Sequence, residues 1–207
     1  MSAMAERPAL DVSGLPTVAD GPRAPLWWGV TGIMAIEGTM FAILVATYFY
    51  LRGAAVEWPP TGVRHPGVGI TTLNLAILLA SILPMYWVAK AAGRQDLKGI
   101  RLWLIVSTVL MVAFLAVRGF ILTGLTFRWD SHAYGSVVWI AAALHTTHVL
   151  TGTGENLLFL ALLFKGPVED KHMVDLRLNS LYWYFVVLAW VVFYCIFFLD
   201  PGLLQVR

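Results

Sequence analysis

Polar residues in this chain are gathered into short stretches, and the segments between them are apolar over lengths that soluble helices and strands rarely reach. A bilayer core of roughly 30 Å takes about 20 apolar residues as helix. Five stretches meet that requirement: Trp27–Leu51, Val68–Ala91, Ile100–Thr123, Gly135–Phe164 and Leu181–Leu199. They predict an all-α polytopic membrane protein, a bundle of five transmembrane helices spanning residues 27–199. No gap between the spans holds a second domain. Residues 1–26, rich in Pro, Ala and Asp, lack an early apolar run and read as a disordered cytoplasmic tail rather than a signal peptide. Residues 200–207 form a short outer tail. Pro84 lies inside the second span and removes a backbone hydrogen bond, so a kink is expected there.

Composition narrows the class. Hydrophobic residues make up 59% of the 207 positions and charged residues 13%, against about 45–50% and 25% in soluble domains. A soluble catalytic domain is excluded. A net charge of +2, with its basic residues in loops, gives no footprint for nucleic acid. Those loops set the expected orientation. Arg7, Arg23, Lys90, Arg94, Lys98, Arg101, Lys165, Lys171 and Arg177 fall on the side of the N-terminus, and Arg52, Arg64, Arg128 and Arg207 on the other. The N-terminus is therefore expected in the cytoplasm and the C-terminus in the periplasm, in a bacterial plasma (inner) membrane. Trp27, Trp28, Trp58, Trp129 and Trp183 lie near span ends, where interfacial anchors belong. The single cysteine, Cys195, excludes a disulfide framework and reads as a buried thiol.

The ionisable residues within the spans are Glu37, Arg118, His145, His148 and Glu155. Each costs several kcal/mol at membrane depth unless it finds a partner, so each is a functional candidate. At roughly 1.5 Å per residue, Glu37 and Glu155 fall at similar depth, on the N-terminal side of the bilayer centre. Either they are proton-linked groups or they are neutral anchors bonded to nearby carbonyls and hydroxyls. Arg118 lies about five residues from the other end of its span, close enough to snorkel towards a lipid phosphate. His145 and His148 share one helix face with Gly152 and Glu155. They could supply two metal ligands, but no other span offers a His or Cys to complete a shell apart from Cys195, so interhelical hydrogen bonding is the better reading. No metal or cofactor site is expected in this chain, and no catalytic residue.

Several local patterns resemble subunit III of the haem-copper terminal oxidases, the cytochrome c oxidase type. Ile36-Glu37-Gly38-Thr39-Met40-Phe41-Ala42 is similar to that family's S-E-x-M-F-F-A stretch, and Asn74 and Ser81 to its N-T-x-x-L-L-x-S segment. Ala133-Tyr134-Gly135-Ser136, followed by Leu144-His145-Thr146-Thr147-His148-Val149, resembles its A-Y-G-S and H-G-L-H-V pair. Tyr182-Trp183-Tyr184-Phe185-Val186 and Trp190 resemble its closing Y-W-H-F-V-D-x-x-W. Tyr184 and Val187 replace the His and Asp of that motif. Arg118-Gly119 stands where the family has a carboxylate, Glu155 is an extra one, and the two additional N-terminal helices of long members are missing.

The resemblance implies a non-catalytic subunit without redox centres, with haem and copper in partner subunits. It implies direct contact with subunit I, company from subunit II and a small subunit IV, and phospholipids in a cleft between the first helices and the rest. It also implies support for proton uptake and oxygen access. Glu37 would face the cleft or subunit I, His148 would brace the fourth span, and Arg118 would bind a lipid head group. The residues leave open a subunit III of a quinol oxidase or nitric oxide reductase. From other classes they leave open a small proton-coupled transporter using Glu37 and Glu155, and a structural scaffold.

Overall fold

The computed structural model describes residues 19, 21–63 and 67–199, and every regular element in them is helical. The helices are α1 (Pro25–Ala54), α2 (Val68–Ala80), α3 (Ile82–Ala92), α4 (Leu97–Thr123), α5 (Ala133–Lys165) and α6 (Asp170–Tyr194), the last continued by a π-helical turn, Cys195–Leu199. Of the expected N-terminal tail, residues 1–18 and 20 lie outside the described residues, as does the tail 200–207. Gly21–Arg23 form a short 3-10 turn leading into α1. Pro25 opens α1 at a position whose N–H would have no intrahelical partner, which suits proline.

α2 and α3 together make one rod, interrupted at Ser81, three residues before Pro84. Proline cannot donate to the carbonyl one turn back, and the break falls within that turn. The Ser81 hydroxyl donates to the Leu78 carbonyl at 2.5 Å, satisfying part of the disturbed backbone. The rod Val68–Ala92, together with α1, α4 and the continuous Asp170–Leu199 segment, is long and apolar enough to cross a membrane. α5 is the longest helix at 33 residues. It falls short of that apolarity because His145, Thr146, Thr147, His148, Thr151, Thr153, Glu155 and Asn156 interrupt it.

α6 starts at Asp170 rather than Leu181, because its first turns mix charge with a buried stripe of Met173, Val174, Leu176 and Leu178. Such an amphipathic lead-in escapes a search for unbroken apolar runs. At the start of α5, the His132 imidazole accepts from the Gly135 N–H at 2.8 Å. A Cβ at Gly135 would sit 2.5 Å from the Arg128 carbonyl, so only glycine fits this entry. Tyr134 beside it is fully buried against Tyr48, Trp58 and Phe127.

The core lies among α3, α4, α5 and α6, while α1 leans mainly on α5 and α6. Phe41 and Tyr48 are the buried residues of α1, and both belong to its second half. Phe41 packs on Phe185, Phe193 and the His148 ring, and Tyr48 on Phe197 and Trp58. The first half of α1 diverges. Two expectations about side-chain direction are reversed: Trp183 is buried in the core at 1% exposure, not an interfacial anchor, and Cys195 is exposed. Trp28 and Trp129 are exposed near helix ends, as anchors should be.

Candidate functional site

The buried residues of α1 lie in its second half, and a cleft of about 640 Å³ opens between its first turns and the α5–α6 pair. Val30, Ile33 and Glu37 line one wall, Thr151, Glu155 and Leu158 the second, and Asp175, Asn179 and Tyr182 the third. The walls are largely apolar and carry three carboxyl groups, with no Lys or Arg among them. An acyl chain meets chemistry of its own kind along such walls, and a polar group meets hydrogen-bond partners at a few fixed points.

At the head of the cleft, where α1 closes on its neighbours, Glu37 is tied twice. The Tyr182 hydroxyl donates to Oε2 at 2.7 Å, and His148 Nε2 lies 3.4 Å from Oε1. His148 is itself oriented by its own helix, with Nδ1 2.7 Å from the Leu144 carbonyl. A carbonyl only accepts, so Nδ1 carries a proton. Nε2 is then the ring nitrogen left facing the carboxyl. Glu37 is half-buried here, with 21% of its side chain exposed. Gly38, beside it, faces the Phe185 ring at a distance that would admit a methyl group in ordinary contact.

Glu155 is exposed on the α5 wall of the same cleft, so the two carboxyls share a compartment. A turn deeper in the bundle, Asn156 is fully buried. Its amide accepts from Asn179 Nδ2 at 2.8 Å and reaches the Met111 sulfur at 3.2 Å, clamping α5 to α6 and α4. Asn156, Asn179 and Tyr182 were not among the candidates read from sequence. An amide in an apolar span was the available signal for Asn156.

The remaining candidates lie elsewhere. His145 is fully buried and donates from Nε2 to the Val186 carbonyl at 3.1 Å. Its ring sits against Trp190 at 4.7 Å, on a different set of neighbours from His148. Arg118 does not snorkel to the surface. It is 2% exposed, with its guanidinium 3.6 Å from the Trp190 ring centroid. Nε donates to the Asn74 side-chain oxygen at 3.1 Å, in the amide orientation that also lets Asn74 donate to the Phe114 carbonyl at 3.0 Å. Stacking on an indole face offers a guanidinium more than an apolar lipid contact does, which explains the inward turn. Among the described residues, no group of three His, Cys, Asp or Glu side chains is arranged to hold a metal ion.

Residues 18–200 match the family model described as cytochrome c oxidase subunit III. Curated proteins called cytochrome c oxidase subunit 3 resemble the chain over most of its length. The one from Thermostichus vulcanus is 23% identical over 175 residues, covering 83% of this chain and 85% of that protein. The one from Corynebacterium diphtheriae is 28% identical over 181 residues, covering 83% and 87% respectively. The one from Pisaster ochraceus reaches 34% over 151 residues, covering 69% of this chain and 55% of its own length.

Proposed function

The chain belongs to the cytochrome c oxidase subunit III family, and from that premise we propose that it is the non-catalytic subunit III of a membrane haem-copper oxygen reductase. In this reading five helices cross a bacterial inner membrane, α5 included, with the N-terminus in the cytoplasm. The family match across residues 18–200 is the observation that carries it. Haem and copper belong to partner subunits. Subunit I docks directly against this chain, and subunit II and a small subunit IV complete the complex.

The cleft takes phospholipid acyl chains, and the Glu37–Tyr182–His148 contact is the latch that holds α1 over them. Glu155 and Asp175 stand on the walls of the same cleft. Through these contacts the chain steadies subunit I and supports its proton uptake and oxygen access.

Membranes from a strain lacking only this chain test the assignment. We expect oxygen uptake on reduced cytochrome c to start at a substantial fraction of the normal rate, then decay within fewer turnovers, with restoration by the wild-type chain. An unchanged rate and lifetime would exclude a role in the oxidase. A quinol oxidase would show the same decay with quinol and none with cytochrome c.

A further inference from the structure

A second cavity lies at the opposite end of the bundle from the mouth of the cleft. It is a pocket of about 30 Å³ bordered by Thr71, Asn74, Arg118, Leu122, Trp190 and Phe197. Room for a single water is about 10–15 Å³, so the space admits one small ion or about two waters. Arg118 is almost wholly buried beside it, and a guanidinium keeps its charge in proteins. Of its five N–H groups, Nε is taken by Asn74. Among the described residues the Nη atoms find no acceptor, and no carboxylate pairs with the charge. A buried cation left in this state is costly, and the cost falls sharply when an anion joins it. One N–H of the Asn74 amide is also uncommitted, since the other donates to Phe114.

We propose that this pocket is an anion site for one small monovalent anion of the halide or formate class. The Arg118 Nη groups and the spare Asn74 N–H supply its donors. The Trp190 and Phe114 rings stack on the guanidinium and hold it at the edge of the cavity, which Trp190 also borders. Leu122, Phe197 and their neighbours leave no donors for a dianion such as sulfate or a phosphate ester, and the volume excludes either. The site is built from this chain's own residues and stands apart from the oxidase assignment.

The test uses the full-length chain purified from its native membranes with whatever subunits remain bound. Sodium bromide is titrated against sodium sulfate at matched ionic strength, and the rate of thermal unfolding is followed. Bromide is expected to slow unfolding saturably, by up to about tenfold at ten times its dissociation constant, with no effect from sulfate. Bromine anomalous scattering should place one ion against the guanidinium. Arg118→Gln abolishes the saturable response and Arg118→Lys keeps a weaker one. Equal effects of bromide and sulfate, or an unaltered response in Arg118→Gln, would overturn the proposal. So would a bromide response that appears only in Asp200→Asn, because Asp200, which follows Leu199 and lies outside the described residues, would then be the native occupant. Loss of a tightly bound phospholipid in Arg118→Gln without any bromide effect would overturn it in favour of a lipid phosphate. Should Arg118→Gln fail to assemble, the bromide and sulfate comparison on the unaltered chain decides the question.

Discussion

Trp183→Ala is expected to destabilise the bundle by about 3 kcal/mol, the low end of the usual cost of deleting a buried tryptophan. The low end applies because lipid solvates apolar side chains, so the loss is mainly of packing rather than of transfer from water. Trp183 joins three elements. Its ring lies against Gly152 of α5, where a Cβ would come within 3.3 Å, and its Nε1 donates to Ser81 Oγ at 2.9 Å. Ser81 in turn marks the break between α2 and α3. Truncation opens a void at the meeting point of α6, α5 and that break. Gly152→Leu should produce a comparable loss from the opposite side by forcing α5 and α6 apart, whereas Trp183→Phe keeps most of the ring contact and loses less. The fraction of chain retained by the purified complex after graded heating in mild detergent measures this. Equal retention of Trp183→Ala and wild type would show that the interface does not depend on the tryptophan.

Glu37→Leu removes both ties of α1 at the head of the cleft. A hydrogen bond involving a charged partner contributes about 1.5–3 kcal/mol, so opening of the latch should become at least about tenfold more frequent. The expected result is a complex depleted of tightly bound phospholipid, with a catalytic lifetime shortened to a similar degree. Glu37→Gln should fall between. Its amide oxygen still accepts from Tyr182, but the carboxyl that faces His148 is gone. Tyr182→Phe makes the complementary change, keeping the contact with His148 and losing the hydroxyl tie. If Gln and Leu both leave lifetime, turnover and lipid content unchanged, Glu37 has no functional role.

The helices and the family were legible in the sequence, the helices because long apolar runs mark them and the family because its motifs are local. Glu37 and Glu155, placed at similar depth by their positions along the chain, line one cleft. Pro84 announced the interruption at Ser81 to within a turn. What was not legible was direction around the helix axis. In a bilayer the lipid-facing and partner-facing sides are both apolar, so periodicity does not mark the buried face as it does in water. Arg118, Trp183 and Cys195 were all misplaced for that reason: the first two turn inward and the third outward. His145 and His148, neighbours on one helix, meet Val186 and Glu37 respectively. Tyr182 was read as part of a motif, and its hydroxyl bond to a residue 145 positions away could not be seen from either end.

The most direct measurement is a reduced-minus-oxidised haem spectrum of material purified through a tag on this chain from native membranes in mild detergent. A haem-copper oxidase subunit III should bring haem a or related bands with it, in stoichiometric amount, together with oxygen consumption on reduced cytochrome c. A colourless protein that stays alone through gentle purification, and whose absence leaves respiration unchanged, would contradict the account.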